Sequence, residues 1–285
     1  MQERLDRAQQ HLASQELTEA QAELEEARAL APDDAEVAFG LGDVAYRSLQ
    51  METAEGHYRH AAEMDPASSA AFANLALVLL ELGLAQPAAD AATRAIALDP
   101  REPRLKALLA QSLLRLGRPK EAADLLEQAL ASGLRGAEPQ ANLGRARDLL
   151  GQSDAALGAF EEALRQDPQL PLTHYWRAEC LRRIGRTREA DRERTAYREC
   201  QARMDRIVKV QTRLLQHPDD PRAWLELARL RVERGIPSQA VMAVLRAEQL
   251  APKDAEVRRV HELVERAVAA TPDVGSPSPR GSPHG

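Results

Sequence analysis

Pro32, Pro66 and Pro100 stand 34 residues apart, Pro168 lies two such steps further on, and Pro218 and Pro252 are again 34 apart. Each follows an apolar-rich stretch. Leu134 fills the skipped place, where Gly133 and Gly136 supply the stop instead. A fixed period of this length means that one supersecondary unit is copied along the chain and stacked on its neighbours. Proline lacks an N–H and clashes with the preceding turn, so at the end of each copy it keeps a helix from running into the next one.

The positions between the prolines repeat as well. Counted from the first residue of each copy, repeat position 8 is Ala8, Gly42, Ala76, Ala110, Gly144, Ala178 and Ala228. Position 20 is Ala20, Ala54, Ala88, Ala122, Ala156, Ala190 and, after a jump, Ala240. Position 27 is Ala27, Ala61, Ala95, Ala129, Ala163 and Ala247, and position 15 is Gly83, Gly117, Gly151, Gly185 and Gly235. Small residues at three of these places let two antiparallel helices approach closely across a glycine-bearing turn. Large residues at positions 7, 11 and 24 fill the space between them, among them Leu41, Leu75, Leu79, Leu113, Leu24, Tyr58, Leu126 and Phe160.

Composition agrees. Hydrophobic residues make up 44% of the chain but aromatics only 3%, so the core is built from Ala and Leu. The commonest residues are strong helix formers. Stretches such as AFANLALVLLELGLAQPAADAATRAIALDP (Ala71–Pro100) and AWLELARLRVERGIPSQAVMAVLRAEQLAP (Ala223–Pro252) resemble the tetratricopeptide repeat family, over about nine-tenths of the chain. The resemblance implies an all-α, right-handed superhelical solenoid of helix-turn-helix repeats. It also implies a non-enzymatic protein–protein interaction scaffold, with the client left open because such folds serve many.

The period predicts a main block over 1–186, with repeats at about 1–34, 35–68, 69–102, 103–136 and 137–170 and a sixth starting at 171. An extended linking helix is expected over 187–217, a last repeat and capping helix over 218–270, and a disordered Pro/Ser/Gly-rich tail over 271–285. In the cap, Val257, Val260, Val264 and Val268 form one stripe, with Arg258, Arg259, Glu262 and Arg266 facing away. In repeat 1, Arg4 and Arg7 make the first helix a polar terminal face.

Several function classes are argued against. A net charge of −6 gives no basic footprint for nucleic acid. Lys106, Lys120, Lys209 and Lys253 are the only lysines, and the excess of Arg reads as the coding bias of a GC-rich bacterium. Cys180 and Cys200 form neither a CxxC pair nor a disulfide framework. There is no run of about 18 apolar residues, so no membrane span is expected. The charged start MQERLDRAQQHL points to the cytoplasm, or to the periplasm if a leader has been removed. Phosphate-loop, dinucleotide, zinc-protease and nucleophile-elbow motifs are all missing. His57 and His60 lie one helical turn apart without a third ligand in sequence, and His174 occupies a packing position. No cofactor, metal or catalytic residue is therefore assigned.

Binding is the stronger class. In a superhelical stack the first helices line the concave face, mainly through repeat positions 2, 5, 9, 12 and 13. Those positions hold Phe39, Tyr46 and Arg47, then Leu77 and Leu80. They continue with Arg104, Leu114 and Arg115, with Arg145 and Leu149, and with Tyr175, Arg182 and Arg183. This predicts a groove for a peptide or partner segment bearing acidic and apolar side chains, since the planar fork of Arg matches a carboxylate. The carboxylate clamp of chaperone-adaptor members is not reproduced. Asn74 and Asn142 match one of its positions, but Phe39, Asp43, Ala107 and Gln111 stand where its Lys and Asn would be.

One segment breaks the period. Sixteen extra residues precede Pro218, and the stretch from Thr187 to Gln216 reads as one helix of roughly 45 Å. Tyr197, Cys200, Met204, Ile207 or Val208, and Leu214 or Leu215 form its apolar stripe. Three readings stand open: the stripe packs on neighbouring repeats, it makes a homodimer through Met204, Ile207, Val208, Leu214 and Leu215, or it docks a partner. An accessory or carrier subunit of an enzyme or secretion assembly is the alternative to a free scaffold.

Overall fold

A computed structural model describes residues 1–270, and every regular element among them is an α-helix. The first repeats are α1 (Gln2–Ala13) with α2 (Leu17–Leu30), α3 (Ala35–Arg47) with α4 (Met51–Met64), and α5 (Ser69–Glu81) with α6 (Ala85–Leu98). They are followed by α7 (Pro103–Arg115) with α8 (Pro119–Ala131), and α9 (Ala137–Leu149) with α10 (Ser153–Gln166). Then come α11 (Pro171–Arg183), the long α12 (Thr187–Gln216), α13 (Pro221–Glu233) with α14 (Pro237–Leu250), and α15 (Ala255–Ala270). The fold is the expected all-α repeat solenoid. The stretch 271–285, read as a disordered tail, lies outside the described residues. No helix among the described residues is long and apolar enough to cross a membrane.

Each helix pair is built by the same local chemistry. Repeat position 15 adopts a left-handed backbone: Gly83, Gly117, Gly151, Gly185 and Gly235 have φ between 72° and 82°. Repeats 1 and 2 lack this glycine, yet Gln15 (φ 61°) and Leu49 (φ 62°) are forced into the same conformation. The turn geometry is thus imposed by packing of the two helices even where the residue opposes it. First helices are started by side-chain caps: Asp34 accepts from Glu36 N and Val37 N, Ser68 from Ala71 N, and Asp220 from Arg222 N and Ala223 N.

Positions 8 and 24 are matched in size. Gly42 faces Tyr58 and Gly144 faces Phe160, whose rings would lie under 3 Å from an added Cβ. Where position 24 is the smaller Leu24 or Leu126, position 8 is Ala8 or Ala110. The aromatic rings therefore occupy the volume a methyl group takes elsewhere. The Tyr58 hydroxyl donates to Asp43 at 2.6 Å, and Asn74 of the next repeat donates to the same oxygen at 3.4 Å. Burial and the Asp43 contact both push the Tyr58 hydroxyl well above its ordinary pKa.

The chain divides into two compact lobes, Met1–Arg194 and the part from Thr195 onward. The division falls inside α12. In the first lobe the helices stack in chain order. In the second, Ile207, Val210 and Leu214 of α12 join Leu225, Leu227 and Leu230 of α13, Val244 of α14, and Val257, Val260 and Val264 of α15 in one core. The cap stripe is shorter than expected: Val257, Val260 and Val264 join the core, but Val268 is 39% exposed.

Candidate functional site

Curvature of the first lobe locates its inner face. Successive first helices meet directly, α1 with α3, α5 with α7, α7 with α9 and α9 with α11, whereas no two of α2, α4, α6, α8 and α10 approach comparably. First helices therefore line the inside of the bend. Their residues fall into three groups.

Leu80 and Leu114 are buried and belong to the core. Position 12 points between neighbouring first helices at these repeats, so neither leucine lines a groove. Phe39, Tyr46 and Leu77 are half-buried, Phe39 meeting Tyr58 edge-to-face with centroids 5.6 Å apart. Arg104, Leu149 and Tyr175 are exposed, as is Leu172.

The second group is a set of arginines at position 13. Arg47 donates to Leu12 O at 2.7 Å, Arg115 to Leu80 O, and Arg183 to Asp148 O at 3.3 Å. Each reaches back 35 residues to the C-terminal end of the preceding first helix, where carbonyls lack intrahelical partners and the dipole favours a cation. Arg183 also grips the Asp148 carboxylate with both amino groups, at 2.8 and 3.0 Å. These three arginines fasten repeats 2, 4 and 6 to repeats 1, 3 and 5. Arg182 is held by Glu179 at 2.9 Å, and Glu179 also accepts from Arg194 at 3.0 Å.

Arg145 stands apart. Its guanidinium carbon lies 4.9 Å from the ring centre of Trp176 on α11. It is half-buried, and burial together with nearby Arg115 holds its pKa below the usual value. The pair joins position 9 of one repeat to position 6 of the next, the same relation that joins Asp43 to Asn74. Trp176 was not among the expected lining residues. The 31-residue offset shared by the two pairs is the signal that could have found it. On the same inner face, Glu81 and Glu138 lie near enough to Tyr46 to add to the effect of burial in raising its hydroxyl pKa.

In repeat 6 the apolar pair at positions 7 and 24 is replaced by charge. Arg177 donates to Glu193 at 2.7 Å, and His174, itself buried, contacts Glu193 through Nδ1 at 2.6 Å and Pro168 O through Nε2 at 3.0 Å. A ring protonated on both nitrogens can donate to both partners. Burial pushes the imidazole pKa down, but the two hydrogen bonds outweigh it and the net shift is upward. No group of three potential metal ligands occurs among the described residues.

The stripe that could pack on neighbouring repeats, self-associate or dock a partner is partly covered within the second lobe. Ile207 and Leu214 are each 6% exposed, Met204 packs against the same core, and Val208 and Leu215 keep open surface. Ile207 and Leu214 cannot serve a second copy without dismantling that core.

A stack of such helix pairs with an open inner face defines a helical-repeat protein. A family model described as tetratricopeptide repeat matches residues 5–69, 107–171, 142–203 and 193–255. The chain belongs to the tetratricopeptide repeat family. Among solved structures, a tetratricopeptide repeat protein from Parabacteroides merdae is 13% identical, covering 93% of this chain and 98% of its own, with a TM-score of 0.58. PilF of Pseudomonas aeruginosa is 21% identical over 80% of this chain and 97% of its own, with a TM-score of 0.50. MamA from Desulfovibrio magneticus RS-1 is 20% identical over 60% of this chain and 96% of its own, with a TM-score of 0.51. These likenesses concern the fold. No curated protein matches the chain in sequence.

Proposed function

We propose that the protein is a non-enzymatic interaction scaffold that holds a segment of a partner protein in the concave groove of its first lobe. The observation that carries this is apolar surface on the inner face: Leu149 is 53% exposed, Leu172 56% and Tyr175 44%. These side chains stand on α9 and α11, which also carry buried residues such as Leu143 and Leu181. Large apolar side chains left exposed on adjacent first helices supply the kind of surface a partner segment can cover. Membership of the tetratricopeptide repeat family supports the same reading.

The test is a quantitative pull-down with the full chain and a Leu149→Glu/Leu172→Glu variant, whose folding is checked by circular dichroism. Partners recovered by the native chain are expected to be lost on the variant. An identical set of partners on both proteins would move the binding surface elsewhere.

A further inference from the structure

We propose that Arg145, laid over Trp176 and flanked by Arg115, receives a side-chain carboxylate of the segment held in the groove, next to an apolar side chain that rests on Leu149. The inference rests on the groove reading above and names the chemistry of its occupant.

Arg115 and Arg183 at neighbouring groove positions, and Arg177 and Arg182 beside them, have acceptors, while Arg104 is exposed and its charge stays hydrated. Arg183 holds Asp148, Arg182 holds Glu179, Arg177 holds Glu193, and Arg115 donates to the Leu80 carbonyl. Arg145 has no hydrogen bond or ion pair among the described residues; its contact is the Trp176 face. An arginine that is half-buried, beside a second arginine and without a counter-ion, is an unfavourable arrangement in the free protein. A bound anion relieves both the desolvation and the repulsion. The ring holds the guanidinium carbon at 4.9 Å, and none of the guanidinium nitrogens is among the buried, unpartnered atoms, so they keep access to a ligand. A planar fork held this way is preorganised for a bidentate carboxylate.

Two neighbours on α9 set the specificity. Leu149 is one turn further along the same face and is 53% exposed, so the carboxylate has an apolar neighbour. Glu138 lies two turns back on that face and repels a second acidic residue at about 10 Å. The site thus selects a single carboxylate within a mixed segment over an acidic tract or a phosphate dianion. Leu77 on α5 and Leu172 on α11 stand at first-helix positions to either side of α9, which favours an internal side chain over a chain terminus.

The experiment is selection of a displayed random dodecapeptide library on the full native chain, followed by fluorescence anisotropy of the selected peptide and its Asp/Glu-to-amide counterpart. The selected peptides are expected to share one internal Asp or Glu beside an apolar residue. Amide replacement should weaken binding to the native chain about 10- to 100-fold. Arg145→Gln should bind both forms equally and weakly, with an unchanged Tm, and Arg145→Lys should recover part of the difference. If Arg145→Gln does not fold, Arg145→Lys carries the comparison alone: an undiminished preference for the carboxylate would then count against the site. Selected peptides without an acidic position overturn the inference and leave the groove standing. So does an acid-to-amide loss that persists in Arg145→Gln, or tighter binding through a C-terminal carboxylate or a phosphoserine. Recovery of no peptide at all overturns the groove reading and this inference together.

Discussion

A Cβ placed on Gly144 would stand 2.6 Å from the ring of Phe160, on the partner helix of the same repeat. No alanine fits without moving a ring that is fully buried. Gly144→Ala is therefore expected to destabilise the protein by about 1–3 kcal/mol, despite the better helix propensity of alanine. Gly144→Ala combined with Phe160→Leu reproduces the Ala8–Leu24 and Ala110–Leu126 pairs of other repeats and should recover much of the loss. Denaturant unfolding of the single and double variants measures this. Simply additive losses would show that the two sites do not share volume.

Leu49 carries a left-handed backbone in a turn where later repeats use glycine, and its side chain is 48% exposed. Leu49→Gly removes the conformational penalty and gives up little packing. The expected gain is up to about 1 kcal/mol once the greater freedom of glycine in the unfolded chain is subtracted. A Tm that falls instead would mean that Leu49 contributes packing which its exposure does not suggest.

Arg183 and Asp148 fasten repeat 6 to repeat 5. Asp148 is buried while Arg183 is about half exposed, so solvent screens one side of the pair. Arg183→Ala leaves a buried carboxylate without its charged partner and should cost about 1–2 kcal/mol. The coupling energy from a double-mutant cycle with Asp148→Asn is the decisive quantity, and a value near zero would remove the latch from the list of stabilising contacts.

His174 makes stability depend on pH. Its folded pKa is raised above the unfolded value of about 6.5. Its contribution is fully present below that unfolded value and is lost as pH rises through the raised folded value. The Tm difference between the native chain and His174→Gln is expected to be largest at mildly acidic pH and to shrink as the solution becomes alkaline. A difference that grows with pH would mean that the ring is neutral in the folded protein.

Leu214 and Leu215 are adjacent on α12 but point about 100° apart around the helix, with 6% and 45% exposure. Leu214→Ala should cost the second lobe about 2–4 kcal/mol, and Leu215→Ala about 0.5 kcal/mol or less. Similar losses from both would require Leu215 to be covered in solution, as it would be in a dimer, and light scattering on the two variants separates these cases.

The 34-residue period, the helix pairs and the long helix from Thr187 to Gln216 were legible in the sequence because each is written in local chemistry. Pro32 and its successors end helices, glycines close turns, and small residues recur where helices touch. The groove was legible as a set of repeat positions and much less so as a set of side chains. Leu80 and Leu114 share a position with Tyr46, yet they are buried while Tyr46 is half-buried. Arg47, Arg115 and Arg183 read as free cations because nothing local reveals the carbonyl 35 residues back that each one holds. On α12, a stripe with steps of three and four residues did not distinguish Ile207 from Val208 or Leu214 from Leu215. The helices packed against it chose Ile207 and Leu214.

The sequence by itself determined the repeat, its helical content and its membership of a scaffold family, since periodic burial and turn chemistry are short-range properties that each copy carries. Tertiary structure decided which arginines hold the stack together and set Arg145 against an aromatic ring instead. Arg145 and Arg183 differ little as letters in a chain. One lies over Trp176 with no acceptor among the described residues, and the other is locked to Asp148. The difference arises only when neighbouring repeats are stacked, because the availability of a charge depends on what surrounds it in space.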